Sequence, residues 1–258
     1  MSESERDIGQ EILDAVLEIK AGGGRHFTPD DHQPYPQTGQ LAQKMNLCLD
    51  DLRDEIVKDA IVYCYVITTI KNPNGQFYQT GSAPNFQGDF ITLCTCKHFM
   101  RTFLEPEEWL GKWVAGFSGV AAGYGRNALV YLMNIGHAFD SHQTLWLSPE
   151  ISDETKEAKA TDIHRFGDVY RPKELSYSDL RFDHQSYKPP VEKHPHFDNW
   201  LPDISYKRKR KATLLVGEPA QSYLWNRPMV FYTNGRIHRG QKKMVLLNLL
   251  EKLEELSE

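Results

Sequence analysis

The spacing of apolar residues divides the chain into a helical first part, a middle part of short strands and a helical end. Apolar positions recur at helical spacing from Ile8 to Ile19 and again over residues 40–60, where the stripe breaks near Asn46. A winged helix-turn-helix has this order of elements: two helices, a turn, a further helix and then a strand. The segment in the recognition position, residues 49–59, carries five acids and two bases, the wrong sign for binding phosphates. We therefore interpret residues 1–60 as a helical region, a degenerate winged-helix-like appendage that packs on the main domain or on a partner.

The middle part, residues 61–240, is rich in short β-branched and aromatic runs bounded by turn residues, which indicates strands. The predicted strands are residues 61–70, 90–94, 113–117, 128–135, 212–217 and 229–232. Few helices separate them, so we predict an α+β fold on a mixed or antiparallel sheet with flanking helices. Residues 241–258 follow as a leucine-rich amphipathic helix that packs either on the core or on a second subunit, giving a homodimer.

Composition narrows the classes of function. The 258 residues carry a net charge of -5, so no global positive field draws the protein to a nucleic-acid backbone. The apolar runs are far shorter than a membrane span, and we expect no membrane partner. Four cysteines in a chain of this length do not indicate a disulfide framework, so we expect reduced thiols and a cytoplasmic protein.

Residues 88–101 form the densest group of chemically active side chains. We expect a strand to end at Cys94 and a helix to begin at an N-cap Thr95, with Lys97 and Arg101 on one face of that helix. Free backbone amides and two cations would bind an anion such as a phosphate. Cys96 beside that anion site would gain thiolate character and act as a nucleophile, or would be a small core residue.

The same segment leaves two further questions open. A cysteine nucleophile needs a base, and His98 or His164 are the candidates. Zinc is an alternative use of Cys94, Cys96 and His98 together with His194 and His196, although the spacing is tight for one tetrahedral site and ordinary surface histidines are favoured. The sequence predicts no cofactor and no resident metal.

Three later segments also carry candidate ligand-binding residues. Trp113, which follows a glycine turn, would stack on a base, although a core position is favoured for it. Asp168, which follows Gly167, would accept hydrogen bonds from the edge of a nucleobase or from a ribose, or would act as a general base. Tyr170 would stack on the nucleobase. A loop closed by an Asp-capped turn is equally compatible with these residues. Residues 207–211 are five consecutive cations, for which a solvated hairpin is favoured over phosphate contact.

Four of these motifs occur in an order that resembles the bacterial and phage nucleotide modification associated domain 2 family. They are Thr-Leu-Cys-Thr-Cys-Lys-His-Phe-Met-Arg ending at Arg101, Gly-Lys-Trp-Val-Ala-Gly around Trp113, Leu-Val-Tyr-Leu-Met at 129–133, and Gly-Asp-Val-Tyr ending at Tyr170. The likeness covers about residues 61–240. It departs from the family pattern at His98, where the family has proline, and at Lys112, where the family has aspartate. The last motif is one residue shorter than the family segment.

The resemblance implies a protein that binds or processes a nucleotide or a modified nucleobase, in DNA modification or in conflict between phages and bacteria. It also implies ligand-binding or catalytic roles for matching positions, which are Cys96, Lys97, Arg101, Trp113, Gly167, Asp168 and Tyr170. The turn and strands around Trp113 further resemble PUA-like barrels that hold flipped bases. A binding module, an enzyme in which Cys96 or Asp168 reacts, and a regulatory protein that uses its terminal helices as partner surfaces all remain open.

Overall fold

A computed structural model describes residues 31–56, 59–237 and 240–255. The strands, in chain order, are β1 (Ile61–Ile67), β2 (Ile70–Lys71), β3 (Tyr78–Gln79), β4 (Thr92–Leu93), β5 (Trp113–Ser118), β6 (Leu129–Phe139), β7 (Leu214–Leu224), β8 (Val230–Tyr232), β9 (Gln241–Val245) and β10 (Leu253–Glu255). The α-helices are α1 (Gly39–Gln43), α2 (Leu49–Glu55), α3 (His98–Arg101), α4 (Pro106–Trp109), α5 (His142–Leu147), α6 (Asp153–Ala158), α7 (Leu201–Ser205) and α8 (Leu246–Leu250). In these described residues no helix is both long enough and apolar enough to cross a membrane.

Within the described residues one six-stranded sheet organises the fold, in the order β4-β7-β6-β5-β1-β9. β1 runs parallel to β5, and the other pairs of this sheet are antiparallel. The α+β class and the mixed sheet are therefore as the sequence predicted. The sheet is open, because β4 and β9 are its two edges, so the expectation of a PUA-like barrel is wrong.

Both faces of the sheet are covered, which explains why β1 is apolar almost throughout. Tyr63 and Tyr65 pack in the core on one face, and Val62 and Cys64 pack in the core on the other. The first face includes Met100 and Trp109 of α3 and α4, whereas the second is covered by α2 and the C-terminal segment. The alternation of side chains along a strand thus separates two cores.

The first helical region is described only from residue 31, so the predicted helix from Ile8 to Ile19 lies outside the described residues. The predicted break near Asn46 is confirmed, because α1 and α2 lie on either side of it and Asn46 adopts a left-handed φ of 56°. Leu41, Leu49 and Leu52 are buried in the two cores. α1 and α2 therefore pack on the sheet.

The C-terminal leucines are not on the single helix that their spacing predicted. The segment is split into β9, α8 and β10, because residues 241–245 pair with the open edge of β1 and β10 pairs with β8. Leu246, Leu249, Leu250 and Leu253 are all buried in the second core. Of the two placements that the sequence left open, these four leucines adopt packing on the core.

Candidate functional site

The turn between β4 and α3 places Cys96 in an unusual backbone conformation. Cys96 and Lys97 have φ angles of 55° and 44°, in the left-handed region that side chains other than glycine rarely adopt. Such a conformation costs on the order of 1–3 kcal/mol per residue and concentrates at functional sites. The helix begins later than the sequence predicted: α3 starts at His98 with Lys97 as its N-cap, and Thr95, the predicted N-cap, is buried with its hydroxyl 2.9 Å from that of Ser82.

Three side chains from separate segments form a relay that ends at the thiol. Cys96 Sγ lies 3.5 Å from His196 Nε2, and His196 Nδ1 lies 2.6 Å from Asp203 Oδ2. Cys96 and His196 are partly exposed, whereas the side chain of Asp203 is only 1% exposed. A thiol next to an imidazole that a buried carboxylate orients is the arrangement of cysteine-dependent acyl-transfer sites.

Asp203 has two further partners. His98 Nε2 lies 2.7 Å from Asp203 Oδ1, and the Tyr170 hydroxyl donates to Asp203 Oδ2 at 2.9 Å. With three donors, this buried carboxylate is well satisfied. Its geometry requires that both histidines carry a proton on the nitrogen that faces it, which leaves His196 Nε2 to face the thiol.

The contacts among Asp203, His196 and His98 shift the pKa values of these three side chains. Burial alone would raise the pKa of Asp203, but the hydrogen bonds from His196 and His98 outweigh it and hold that pKa well below its usual range. Burial alone would lower the pKa of His196, but the hydrogen bonds to Asp203 and Cys96 raise it to about 10. Burial lowers the pKa of His98 in spite of the same carboxylate. At neutral pH the site therefore favours an imidazolium at His196 beside the thiol.

His194 fixes the backbone at His196. His194 Nδ1 accepts a hydrogen bond from His196 N at 3.0 Å, and His194 Nε2 lies 2.8 Å from Gly167 O. Burial lowers the pKa of His194 to about 4, so this ring stays neutral with its proton toward Gly167. A Cβ on Gly167 would lie 2.6 Å from Lys159 O, so only glycine fits there. Gly167 is thus a support for the histidine loop.

Lys97 and Arg101 do not form the open anion site that the sequence predicted. Arg101 is fully buried, with Nε donating to Cys96 O at 2.9 Å and Nη1 donating to Thr213 O at 2.8 Å. Lys97 Nζ lies 4.8 Å from the centre of the Tyr65 ring. The reason is the start of α3 at His98, which draws the guanidinium under the turn. Arg101 holds the carbonyl of Cys96 and so positions the thiol.

Asp168 and Trp113 are also in the interior. Asp168 is fully buried, accepts from Thr92 Oγ1 at 2.9 Å and from Cys94 N at 3.1 Å, and has its pKa raised by burial. It joins the end of β4 to its neighbours and is not exposed to solvent. Trp113 is 3% exposed and stacks on Tyr223 in the second core, on the face of the sheet away from Tyr65. Trp113 is therefore a core residue, as the sequence favoured, and it is not placed to stack on a nucleobase.

The structure brings Cys96 and Tyr170 together, but around Asp203, which the sequence did not single out. His196 was considered only as a zinc ligand, and neither His98 nor His164 is the partner of the thiol. A cysteine at a strand end with histidine and aspartate farther along the chain was the available signal. In the described ranges no group of three or more histidine, cysteine or acidic side chains is arranged to hold a metal ion. All four cysteines are free thiols, and Cys94 is fully buried.

Comparison of the chain with protein-family models finds no match, and comparisons with curated proteins and with solved structures find none either. The resemblance described above therefore stays a prediction. The class of the protein is defined by its geometry alone, as an α+β protein with a Cys–His–Asp relay at a strand-to-helix turn.

Proposed function

We propose that the protein is a cysteine-dependent enzyme that catalyses acyl transfer or hydrolysis, with Cys96 as nucleophile, His196 as general base and acid, and Asp203 as the residue that orients His196. The observation that carries the proposal is the chain of contacts from Cys96 Sγ to His196 and on to buried Asp203. The left-handed φ of Cys96 supports it, because strain at a partly exposed thiol is retained where a reactive group must be presented.

The reaction proceeds in two halves. In the reactive form His196 Nε2 holds the proton that came from the Cys96 thiol, and the thiolate Sγ attacks a substrate carbonyl to form a new S–C bond. The same proton passes from Nε2 to the leaving amine or alcohol as the C–N or C–O bond breaks, which leaves a thioester on Cys96. His196 then takes a proton from water, whose oxygen attacks the thioester, and returns the proton to Sγ as the acid leaves.

The substrate class that we propose follows the resemblance: a nucleotide or a modified nucleobase, in a cytoplasmic context of DNA modification or phage conflict. The acyl group would then be a base modification or a conjugate attached to the nucleotide. The alternative is a regulatory protein without catalysis, in which the thiol would be unreactive.

Thiol reactivity tests the reaction directly. Cys48 is also partly exposed, so it serves as a control within the same chain. We expect iodoacetamide at pH 6.5 to label Cys96 at least tenfold faster than Cys48, because His196 Nε2 lies 3.5 Å from Cys96 Sγ and takes its proton, whereas the hydrogen bond with Asp51 raises the pKa of Cys48. In His196→Gln the labelling of Cys96 should slow severalfold, whereas that of Cys48 should not change. Peptide mass spectrometry over a time course measures both rates.

Two results would contradict the proposal. One is equal labelling of Cys96 and Cys48 in the parent chain, which the non-catalytic alternative predicts. The other is unchanged Cys96 labelling in His196→Gln. A panel of acyl esters and amides, including acylated nucleotides, then defines the substrate through a burst of leaving group equal to the enzyme concentration, which Cys96→Ser must lack.

A further inference from the structure

A groove opens between α3 and the basic hairpin of residues 207–211. We call it the hairpin groove, and its volume is about 410 Å³. Its lining consists of Phe99, Thr102, Phe103, Arg208, Lys209 and Arg210. The hairpin is closed by a bridge between Lys207 and Lys211, as the sequence predicted for a cationic hairpin. A volume of this size suits a ligand of nucleotide dimensions, since small-molecule pockets span roughly 300–1,000 Å³.

Arg210 fixes the hairpin against the helices. Its Nε lies 3.0 Å from Glu105 Oε1, and its Nη1 donates to Phe103 O at 2.8 Å. Its charge is thus used within the chain. A wall held in this way does not have to be ordered when a ligand binds, which reduces the entropic cost of binding.

Among the described residues, the two other cations of the groove are not neutralised by carboxylates. Within the described residues no acidic group lies within ion-pair distance of Arg208 or Lys209, while the chain as a whole has a net charge of -5. The Arg208 guanidinium lies 4.3 Å from the centre of the Phe99 ring, and Phe99 is 40% exposed. Positive groups beside an exposed aromatic ring fit a ligand that combines an anion with a planar apolar group.

The groove adjoins the thiol relay. His98, which bonds Asp203, begins the helix that carries Phe99, and its ring stacks on Tyr206 at 5.0 Å. Tyr206 directly precedes the hairpin. A ligand in the groove is therefore separated from Cys96 by one turn of helix and one aromatic stack.

We propose that the hairpin groove binds the phosphate end of a small organic phosphate that carries a planar ring, with Arg208 and Lys209 contacting the phosphate and the phenylalanines contacting the ring. That this ligand is part of the substrate rests on the proposed function. Binding of this ligand in the hairpin groove does not depend on the proposed function.

Calorimetry on the full-length Cys96→Ser chain separates the two ideas, with AMP, adenosine and pyrophosphate as probes. We expect AMP to bind at least tenfold more tightly than adenosine, because only AMP supplies the anion. Arg208→Ala combined with Lys209→Ala should weaken AMP binding at least tenfold. Lys71→Ala combined with Lys173→Ala removes two exposed cations that do not line the groove and should change the affinity less than twofold.

Three outcomes overturn the groove proposal: AMP and adenosine bind alike, the Arg208 and Lys209 substitutions leave AMP binding unchanged, or a twelve-residue oligothymidylate binds more than tenfold more tightly than AMP, which would make the occupant a polymer. Arg208→Glu with Lys209→Glu checks the sign of the charge and should abolish binding. If AMP binding depends on Arg208 while Cys96 in the parent chain labels no faster than Cys48, the groove stands and the enzymatic proposal fails. Rapid Cys96 labelling without AMP binding gives the reverse result.

Discussion

Replacing Asp203 by asparagine removes one charge from the relay with little change of shape. The amide oxygen can keep the hydrogen bonds from His196 and from the Tyr170 hydroxyl, since both reach the same carboxylate oxygen. The amide nitrogen then faces His98, which accepts by moving its own proton to the other ring nitrogen. The substitution therefore isolates the charge of the carboxylate from the packing around it.

The size of the effect follows from the pKa of His196. A rise from 6.5 to about 10 corresponds to roughly 5 kcal/mol of favourable interaction with the imidazolium. Asp203 is the leading source of that rise, so removing its charge should cost at least half of this interaction, roughly 2–3 kcal/mol, and should move the titration midpoint of His196 down by about two pH units. NMR titration of the ¹³C-labelled histidine rings from pH 5 to 10.5 measures the midpoint.

Stability should follow the same titration. Because the folded pKa of His196 is raised, its contribution is complete below about pH 6.5 and is lost as the pH rises toward 10. Urea unfolding between pH 7 and 9.5 should therefore show a loss in the parent chain that is about half as large in Asp203→Asn.

A matched substitution elsewhere provides the control. Asp162 is also largely buried and accepts from Arg171 Nε at 3.0 Å, so Asp162→Asn makes the same chemical change away from the relay. It should leave the titration of His196 unchanged. If His196 in Asp203→Asn titrates within half a pH unit of the parent, the carboxylate does not control the imidazole, and the electrostatic reasoning is refuted.

Three further predictions concern the support of the site. Gly167→Ala should lower the free energy of unfolding by roughly 2–4 kcal/mol, because its Cβ meets Lys159 O at 2.6 Å; a loss below 0.5 kcal/mol in urea would mean that the backbone yields there. Tyr170→Phe removes a buried hydrogen bond to a charged acceptor and should cost about 1.5–3 kcal/mol in the same assay, and an unchanged stability would argue against that bond. Burial lowers the pKa of His142 to about 3, so the unfolded chain binds the extra proton and stability falls as the pH drops below 6.5; His142→Gln should flatten this fall by about 2–3 kcal/mol between pH 6.5 and 4.5, and parallel pH profiles for the two chains would refute it.

Much of the fold was predictable because it depends on local patterns. The run of β-branched and aromatic residues in β1 indicated a strand, and the break near Asn46 marked the boundary of two helices. The C-terminal leucines were predicted to lie on one helix that packs on the core or on a second subunit. Their helical spacing was misleading, because the segment is split into β9, α8 and β10. Residues 241–245 gain backbone hydrogen bonds by pairing with the edge of β1, which is distant in the sequence, and helix propensity does not include this stabilisation.

The amino-acid sequence by itself determined the α+β class and five of the six strands of the main sheet, and it singled out the segment around Cys96 as a candidate site. Only the tertiary structure decided which distant groups that segment contacts. Cys96 and His196 are one hundred positions apart, and their contact depends on a loop that is held by His194 and Gly167 rather than on any regular spacing. Arg101 shows the same limit, because its charge and helical position indicated an anion ligand, whereas burial under the turn directs its Nε and Nη1 to backbone carbonyls. Periodicity reports which side of an element faces the core, but the partner of each polar group is set by how distant segments meet.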